Sequence, residues 1–331
     1  MKNIKLAVVG ATGVVGRTVL KVLEEKKLPI SEYVLFASKK SAGQKFSLLG
    51  KEYTIKELNE HSFDEGFDYA IFSAGGSTSE KYAPIAASKG CTVVDNSSFF
   101  RMHDDVPLVV PEVNFDDALK NNGIIANPNC STIQAMLPLK ALDDKYGIKR
   151  VIYSTYQAVS GAGRNGIIDL EEQNKEGNLK KFPHQIFDNC LPHIDVFLDN
   201  GYTKEEMKMI DETKKILHKP NLKVTATTVR VPVSNSHSES INVELENSFK
   251  LEELIDVLNS FPNIIVMNDG KNDSYPMPIL STGHDEVFVG RIRRDESVEN
   301  GINMWVVADN IRKGAASNAV QIVEKLIKEA D

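Results

Sequence analysis

The side chain with the clearest chemical setting in this sequence is Cys130, in the segment NPNCST. Directly after it, apolar residues recur at helical spacing, at Ile133, Met136, Leu137 and Leu139. The spacing predicts a helix that begins at Cys130, where the helix dipole and unpaired amides favour a thiolate and lower a thiol pKa from about 8.5. Cys130 is therefore predicted to be a nucleophile. The same amides, with the side chain of Asn129, are expected to hold a developing oxyanion.

The other two cysteines, Cys91 and Cys190, have no comparable setting, so burial as small apolar side chains is expected for both. Three cysteines without a CxxC pair indicate neither a disulfide framework nor a cysteine zinc site. No metal site is predicted.

A second candidate site lies at the glycine turn GATGVVG, which follows an apolar run at residues 4–9. Gly10, Gly13 and Gly16 form a GxxGxxG pattern, and helical periodicity begins within it. In this position the first glycine permits a tight turn, the others permit close backbone approach, and free amides of a helix N-terminus face a pyrophosphate. The pattern indicates a dinucleotide site; the alternative is a turn that only joins a strand to a helix.

The residues after the next strand indicate which dinucleotide is bound. They read Ser38, Lys39, Lys40 and Ser41, with no carboxylate to bind the ribose 2′-hydroxyl of NAD. Two ammonium groups beside two hydroxyls suit the 2′-phosphate of NADP instead. NADP is therefore the predicted cofactor, and the alternative is that both lysines belong to a solvated loop face.

The elements that position these residues change character along the chain. Up to residue 128, short apolar runs such as YVLFAS, YAIFSA, TVVD and PLVVPEV alternate with helical segments, which predicts a parallel sheet with right-handed crossovers. From Arg150 onward, longer alternating runs such as VIYSTYQAV suit a half-exposed sheet. An amphipathic stretch near the end needs an apolar partner surface, which the first domain is expected to supply. We predict an α/β protein with a nucleotide-binding domain at 1–128 plus 310–331 and a second α+β domain at 129–309.

Composition excludes several classes of function. The 331 residues carry 39 Lys and Arg against 46 Asp and Glu, a net charge of −7 with both signs interspersed, which argues against nucleic acid as a partner. No apolar run approaches the roughly 18 residues of a membrane span, and the first residues lead into a strand signal without a cleavable signal pattern. We expect a cytosolic protein that acts on a small molecule.

Five segments together resemble the aspartate-β-semialdehyde dehydrogenase family: GATGVVG, DNSSFFR at 95–101, NPNCST at 127–132, YQAVSGAGR at 156–164 and VRVPVSNSH at 229–237. The likeness extends to the GAASNAVQ segment near the end and is strongest for the shorter, Gram-positive-like branch. It implies a Rossmann-type domain, a catalytic and dimerisation domain, and a homodimer. It also implies NADPH-dependent reductive dephosphorylation of L-4-aspartyl phosphate to L-aspartate 4-semialdehyde, in the biosynthesis of lysine, threonine, methionine and isoleucine.

The resemblance implies roles for individual residues. Cys130 would attack the acyl phosphate to form a thioester, with His237 as the acid/base and Gln157 orienting the acyl group. Arg230 is the expected clamp on the substrate α-carboxylate, because its planar fork donates two parallel hydrogen bonds. An exposed loop residue is the alternative for His237, and a polar residue after a strand is the alternative for Gln157.

Three charged residues resemble the remaining substrate contacts. Glu205 and Lys208 are three apart and share one face of a predicted helix. They resemble the family's contacts to the substrate amino group and phosphate, and Arg101 resembles a second phosphate contact. A surface ion pair is the alternative for Glu205 and Lys208, and it would contribute only about 0 to 1 kcal/mol.

The resemblance also implies a set of dinucleotide contacts. Ser160 and Gly161 would lie along the nicotinamide, and Asn318 would contact its carboxamide; a polar turn and a helix-surface asparagine are the alternatives. The remaining members are Gly10, Thr12, Gly13, Val14, Val15, Gly16, Ser38, Lys40, Ser41 and Ser73. The family commonly has an arginine in the loop after the second strand, where this chain has Lys39 and Lys40, so a shallower NADP preference is expected.

Three other functions compete with this interpretation. N-acetyl-γ-glutamyl-phosphate reductase shares the two-domain plan and the thioester chemistry, but the Glu205 and Lys208 pair and the RVPVSNSH run resemble the aspartate enzyme. Glyceraldehyde-phosphate dehydrogenase is expected to carry an acidic residue after the second strand, and none is present there. A catalytically silent scaffold is expected to lack Cys130, Arg230 or His237, and all three are present.

Overall fold

The computed structural model describes residues 3–330 and divides into two units. One unit contains the described residues up to Pro128 together with those from Ala315 onward, and the other is Asn129–Gly314. Residues 310–314, assigned to the first domain from the sequence, therefore belong to the second unit. Asp309 explains this correction, because its side chain accepts hydrogen bonds from two following amides (2.9 and 3.0 Å) and its carbonyl accepts one from Gly314 (3.0 Å).

The strands are β1 (Ile4–Val9), β2 (Ile30–Ala37), β3 (Lys45–Leu48), β4 (Lys51–Thr54), β5 (Lys56–Glu57), β6 (Tyr69–Phe72), β7 (Thr92–Asp95), β8 (Ile124–Ala126), β9 (Ile148–Gln157), β10 (Lys223–Arg230), β11 (His237–Leu245), β12 (Ile264–Met267), β13 (Val287–Asp295) and β14 (Gly301–Ala308). The helices are α1 (Val14–Lys26), α2 (Gly76–Ser88), α3 (Phe115–Ala118), α4 (Cys130–Tyr146), α5 (Arg164–Glu171), α6 (Lys204–Ile216), α7 (Leu251–Ser260), α8 (Pro278–Ser281) and α9 (Ser317–Ala330). None of the helices within residues 3–330 is long and apolar enough to cross a membrane.

In the first unit, six parallel strands form one sheet in the order β5-β2-β1-β6-β7-β8. β1 consists almost entirely of buried apolar residues, as expected for a strand covered on both faces. β2 and β6 pair with opposite edges of β1, so the carboxyl ends of β1 and β6 form a topological switch point. Open α/β sheets bind their ligands at such points.

One predicted strand of this sheet is wrong. PLVVPEV, at 107–113, forms only an isolated bridge between Leu108 and Ala126, and β8 takes the edge position. The two prolines of this segment lack the N–H groups that a ladder needs. Asn114 holds the segment as a turn instead, because its side chain donates to the carbonyl of Leu108 and accepts from the amide of Val110.

The amphipathic stretch at the end of the chain forms α9, which belongs to the first unit. Its apolar stripe lies in one buried core with side chains of β1, α1 and β2, and comprises Ala319, Ile322, Val323, Leu326 and Ile327. The expectation that this helix returns to the nucleotide-binding domain is confirmed.

The second unit contains a mixed six-stranded sheet in the order β10-β9-β11-β14-β13-β12. β10 pairs with β9 and β12 with β13 in parallel, and the other neighbours are antiparallel. Because side chains alternate along a strand, His237, Glu239 and Ile241 share one buried face of β11. α4 is buried along most of its length on this side, where the side chain of Gln134 donates to the carbonyl of His237.

Candidate active site

The candidate nucleophile stands at the first residue of α4, as the sequence predicted. The side-chain oxygen of Asn129, the preceding residue, accepts hydrogen bonds from the backbone amides of Ser131 (3.0 Å) and Thr132 (3.4 Å). Cys130 is partly exposed. The backbone of Gly314 lies against it, because a Cβ atom placed on Gly314 would be 2.9 Å from the Cβ of Cys130. The capped helix end and the close backbone of Gly314 thus fix the position of the Cys130 Cβ, from which the thiol extends.

Asn129, expected to help hold an oxyanion at this helix end, makes several hydrogen bonds within the protein. The amides of Ser131 and Thr132 are engaged by the Asn129 side-chain oxygen, and Asn129 Nδ2 donates to Glu205 Oε1 at 2.9 Å. These donors point at protein acceptors. Asn129 thus caps α4 and joins it to α6, and the oxyanion role expected of this helix end stays a prediction.

Glu205, near the start of α6, is the centre of a buried hydrogen-bonded cluster. Its Oε1 accepts from Asn129 Nδ2 (2.9 Å) and Gln157 Nε2 (3.1 Å), and its Oε2 accepts from Lys208 Nζ (3.0 Å). Burial opposes the negative charge, but Lys208 and the two amide donors outweigh burial and lower the pKa of Glu205 to about 2. Glu205 is therefore a carboxylate at neutral pH.

Lys208 lies between two carboxylates. Its Nζ is 2.8 Å from Asp195 Oδ2 and 3.0 Å from Glu205 Oε2. Burial disfavours the ammonium, but the two carboxylates outweigh burial and raise the pKa of Lys208. The side chains of Lys208 and Glu205 are only 18% and 7% exposed, so the alternative of a surface ion pair is wrong.

Arg230 and His237 are held by the backbone of one residue, Ala158. Arg230 Nη1 donates to the Ala158 carbonyl at 2.7 Å, and the Ala158 amide donates to His237 Nδ1 at 3.0 Å. The guanidinium carbon of Arg230 also lies 5.9 Å from the centroid of the Phe182 ring. Two side chains singled out in the sequence are thus brought together by main-chain atoms.

His237 is fully buried, so the alternative of an exposed loop residue is wrong. Burial and the neighbouring Arg230 lower the pKa of His237 from 6.5 to about 3, and Glu205 opposes the shift. Nε2 has no hydrogen-bond partner among the described residues. Gly161 lies beside this atom, because a Cβ placed there would be 3.2 Å from Nε2 and 3.1 Å from Arg230 Nη1. Ser160, the preceding residue, is buried and hydrogen-bonds through its hydroxyl to the side chain of Asn310.

In the first unit, the glycine turn joins β1 to α1 beside the carboxyl end of β6. Gly10 has a φ of 84°, and a Cβ on it would lie 2.4 Å from the carbonyl oxygen of Ser73. A Cβ on Gly16 would lie 2.1 Å from the carbonyl oxygen of Gly10. Gly13, the residue before α1, provides no side-chain cap for the first helical amides, which leaves them suited to a pyrophosphate.

The predicted 2′-phosphate contacts lie near this turn. Ser38, Lys39 and Lys40 are exposed, and Ser41 Oγ lies 3.5 Å from Thr12 Oγ1 in the glycine turn. Val14 and Val15 are the first two residues of α1. The exposed ammonium groups are accessible to a phosphate, and they equally satisfy the alternative of a solvated loop face.

Arg101 and Asn318 also lie in the first unit, and both bind Asn127. Arg101 Nε donates to the carbonyl of Asn127 at 2.9 Å, and its Nη2 donates to the carbonyl of Asn96 at 3.2 Å. Asn318 Nδ2 donates to the Val109 carbonyl (3.0 Å) and to Asn127 Oδ1 (2.8 Å). Asn318 is fully buried, so the alternative of a helix-surface asparagine is wrong, and its amide hydrogens attach α9 to its own unit.

The remaining cysteines differ from each other. Cys91 is buried as expected, and burial, with a smaller effect of Asp68, raises its pKa to about 12. Cys190 is exposed, contrary to the expectation. Leu191 takes the buried place instead, because its amide and carbonyl both pair with the backbone of Arg230 (2.9 and 2.8 Å).

Known proteins resemble this chain over nearly its whole length. The family model for the semialdehyde dehydrogenase NAD binding domain matches residues 5–121, and the model for the semialdehyde dehydrogenase dimerisation domain matches 139–313. The aspartate-semialdehyde dehydrogenase of Aquifex aeolicus is 58% identical over 334 residues, with 98% of both chains covered. That of Bacillus subtilis is 48% identical, with 99% of this chain and 98% of the relative covered.

The chain belongs to the aspartate-semialdehyde dehydrogenase family. The resemblance read from its motifs is thereby confirmed, as is the fold class. Among solved structures, aspartate semialdehyde dehydrogenase II from Vibrio cholerae, complexed with ASA, is 45% identical with a TM-score of 0.94 and covers 99% of both chains. The enzyme from Candida albicans with NADP is 27% identical with a TM-score of 0.77 and covers 98% of both.

Several residues around the site of this aspartate-semialdehyde dehydrogenase family member were not predicted. Asp195 binds Lys208, and Glu212 Oε2 accepts from the backbone amide of Asn129 at 2.6 Å. Glu212 follows Glu205 by seven residues on α6, about two helical turns, and that spacing was an available signal. Ala158 acts through its backbone, and nothing about an alanine in a sequence marks such a role.

Glu239 is a further buried carboxyl that the sequence analysis missed. It is fully buried on the same face of β11 as His237, and neither carboxyl oxygen has a hydrogen-bond partner among the described residues. Burial raises the pKa of Glu239 well above its ordinary value, because an unpaired carboxylate is disfavoured away from water.

Proposed function

We propose that this chain catalyses the NADPH-dependent reductive dephosphorylation of L-4-aspartyl phosphate to L-aspartate 4-semialdehyde. The observation that carries the proposal is a thiol at the first residue of α4 in the same unit as the buried guanidinium of Arg230. Among residues 3–330, the Arg230 side chain donates a single hydrogen bond, to Ala158, so Nε and Nη2 are left for a substrate carboxylate. The Vibrio cholerae relative complexed with ASA supports this substrate class.

Cys130 is the proposed nucleophile, which forms a thioester with the acyl carbon as phosphate leaves. Burial lowers the pKa of Arg230, whereas the charges of Glu205 and of a Cys130 thiolate oppose that shift. The same attraction favours the thiolate of Cys130. Gln157, anchored to Glu205 at the end of β9, is proposed to orient the acyl group. His237, whose Nδ1 accepts from the Ala158 amide, is proposed as the acid/base.

The charged groups of α6 are proposed to bind the other parts of the substrate. Glu205 is ionised and supplies the negative charge that a substrate ammonium requires. An ammonium bound there would compete with Lys208 for the carboxylate, and the Lys208 Nζ, still bound to Asp195, would turn toward the phosphate group. Arg101 is proposed as the second phosphate contact.

NADP is the proposed cofactor, held at the glycine turn. The uncapped first amides of α1 suit its pyrophosphate, and Lys39 and Lys40 suit its 2′-phosphate. When bound, the cofactor supplies hydride to the thioester carbon. The other proposed contacts are those named from the sequence, including Ser160, Gly161 and Asn318. The Candida albicans relative with NADP supports this choice.

The reaction is tested by following the phosphate-dependent reduction of NADP by aspartate semialdehyde. Cys130→Ala is expected to lose turnover by about 10³-fold or more, because no thioester forms, while its NADPH affinity stays unchanged. Cys190→Ala removes an exposed thiol and is the matched control, with a wild-type rate expected. Turnover near wild type in Cys130→Ala would overturn the proposal.

The active form is proposed to be a homodimer assembled through the second unit. The dimerisation-domain model matches 139–313. On the sheet face away from Gln157, the ring of Tyr156 is 40% exposed and lies 5.3 Å from that of Trp305, and Ile279 on α8 is 81% exposed. Exposed apolar groups of this size are typical of interaction surfaces.

Light scattering is expected to give twice the mass of one chain for the wild type. The double variant with Ile279→Asp and Tyr156→Asp is expected to give the mass of a single chain. A wild-type monomer would contradict this assembly.

A further inference from the structure

Asp169 on α5 is a fully buried side chain on which several hydrogen-bond donors converge. Its Oδ1 accepts from the backbone amide of Lys180 (2.7 Å) and from Nδ2 of Asn174 (3.1 Å). Its Oδ2 accepts from the backbone amides of Lys181 (2.8 Å) and Phe182 (3.2 Å). Successive backbone N–H groups that point at one place form an anion-binding arrangement, and here the anion is a side chain of the protein itself.

This arrangement requires an ionised side chain at position 169. Burial disfavours the carboxylate, but the hydrogen bonds from the amides of residues 180–182 and from Asn174 outweigh burial and lower the pKa of Asp169. A carboxylate accepts hydrogen bonds on both oxygens and donates none, whereas an asparagine would turn an NH₂ group toward the converging N–H groups. Asp169 therefore holds residues 180–182 in a way that an asparagine of the same shape cannot.

The residues held by Asp169 end in Phe182, whose ring contacts both α5 and Arg230. A Cβ placed on Gly166 would lie 3.1 Å from Phe182 Cζ, so the tip of the ring rests on a glycine of α5. The guanidinium carbon of Arg230 lies 5.9 Å from the ring centroid, within the range of a cation–π contact. The ring also packs against a small buried apolar cluster, which comprises Val159, Ile186 and Leu191. Asp169 thus fixes the backbone of Phe182, and the cluster fixes its side chain.

The same stretch of chain also holds the backbone of Arg230. After Phe182 the chain returns to the end of β10, where the amide of Leu191 donates to the Arg230 carbonyl (2.9 Å) and its carbonyl accepts from the Arg230 amide (2.8 Å). Residues 164–191 therefore contact Arg230 at its main chain, through Leu191, and at its guanidinium, through Phe182. Asp169 ties the middle of this stretch to the helix at its start.

Resting on the proposed function, we propose that Asp169 is a positioning residue for Arg230, the expected clamp on the substrate α-carboxylate. By holding residues 180–182, Asp169 keeps the Phe182 ring against the guanidinium, so that the planar fork of Arg230 is held in one orientation. The ring also shields part of the guanidinium from water, which strengthens a charge-assisted hydrogen bond to a carboxylate. Selectivity for a substrate with an α-carboxylate thus depends on a side chain of α5 that acts through the segment it binds.

The loss expected without Asp169 is a loss of substrate binding. The α-carboxylate is unchanged by the reaction, so its contact with Arg230 is equally strong in the bound substrate and in the transition state. Removing such a contact raises KM and leaves kcat unchanged. A residue that only stabilised the fold would instead reduce the fraction of active enzyme, which lowers the apparent kcat and leaves KM unchanged. The two kinetic parameters therefore distinguish positioning from a purely structural role.

Asp169→Asn tests the proposal with the smallest change in shape. We expect the KM for aspartate semialdehyde to rise by about 10-fold, with kcat and the KM for NADP within about 2-fold of wild type. Glu171→Gln removes an exposed carboxylate from the same helix and is the matched control, with wild-type kinetics expected. An unchanged KM in Asp169→Asn, or a loss confined to kcat, would overturn the proposal.

Phe182→Leu tests the contact with Arg230 separately, and it replaces Asp169→Asn if that variant does not fold. Leucine keeps an apolar group for the cluster but has no aromatic face, so the KM for aspartate semialdehyde is expected to rise by about 3-fold with kcat unchanged. A KM at the wild-type value would refute the role of the ring.

Two rates measured on the folded chain require no turnover. In Asp169→Asn the backbone amides of Lys181 and Phe182 are expected to exchange with deuterium about 10-fold faster than in wild type, because their acceptor oxygen is lost. Phenylglyoxal, which modifies guanidinium groups, is expected to react with Arg230 about 3-fold faster, as measured by peptide mass spectrometry. Wild-type values of either rate would overturn the proposal. A wild-type chain without turnover would defeat the proposed function, and these two rates would still decide whether Asp169 positions Arg230.

Discussion

Two helix N-termini lie at the two functional regions of this molecule, and they are built in opposite ways. α1 follows Gly13, which places no side chain over the first amides. α4 follows Asn129, whose side chain occupies the amides of Ser131 and Thr132. The first helix end leaves its backbone donors for a ligand, whereas at the second the amides of Ser131 and Thr132 bind the Asn129 side chain, and the helix begins with the side chain of Cys130. A helix start beside a functional site therefore indicates a ligand site only when its amides are open.

The charged side chains of the two regions differ in the same way, between groups open to solvent and groups bound inside the protein. Lys39 and Lys40 are exposed, whereas Glu205 is buried with three hydrogen-bond donors on its carboxylate. Exposed charges are screened by water and salt, and buried ones are screened much less. Disturbing the second unit is therefore expected to cost more stability than disturbing the first.

The largest loss in free energy of unfolding is expected for Glu205→Gln, and this loss depends on pH. The folded pKa of Glu205 is lowered to about 2, so its stabilisation is fully present above the unfolded pKa and disappears as the pH falls from about 4.3 toward 2. At neutral pH the variant is expected to lose on the order of 3 kcal/mol in free energy of unfolding. Denaturant titrations at several pH values measure this loss. Glu252→Gln, an exposed position, is the control, and a loss at Glu205 that did not shrink in acid would contradict the buried carboxylate.

An intermediate loss in free energy of unfolding is expected when the residues that precede the two helices are replaced. Asn129→Ala removes the cap of α4 and one donor to Glu205, which is expected to cost about 2 kcal/mol of unfolding free energy. Gly13→Ala removes no cap, and its added Cβ would meet only the Gly10 carbonyl at an ordinary 3.5 Å, so less than about 1 kcal/mol is expected. Equal losses in thermal or denaturant unfolding would remove the distinction between the two ends.

The smallest effect is expected at the exposed lysines. Replacing Lys39 and Lys40 together by alanine is expected to raise the Kd of NADPH by about 10-fold at low salt and less at high salt, because the lost contacts are exposed charge pairs. The Kd of NADH should change little, since NADH lacks the 2′-phosphate. Lys51→Ala, an exposed lysine on the β3–β4 hairpin, is the control. Parallel shifts for both dinucleotides in side-by-side titrations would show that these lysines do not distinguish them.

The sequence predicted the parts of the site that depend on local spacing. Cys130 at a helix start, the glycine turn after β1 and the return of α9 all follow from periodicity in neighbouring residues. The sequence did not predict contacts whose hydrogen-bond partner lies far along the chain. The hydrogen bond from Asn129 to Glu205 depends on how α6 packs, and no local pattern encodes that contact.

The predictions of the second unit's boundary and of a strand at PLVVPEV were wrong for a related reason. Both depend on single side chains, Asp309 and Asn114, that bind backbone groups and fix a local turn. Composition and periodicity describe runs of residues, so they are insensitive to one such contact. Ala158 is the extreme case, because its contribution lies wholly in atoms that every residue type except proline shares.

Gly314 gives the proposed nucleophile a neighbour without a side chain, and this limits how the surroundings of Cys130 can be redesigned. Since even one methyl group there would press on the carbon that carries the sulfur, the surroundings of Cys130 have to be changed at other residues. Engineering a broader substrate range should therefore begin at residues such as Phe182, whose ring lies 5.9 Å from the guanidinium carbon of Arg230, and libraries should leave position 314 untouched.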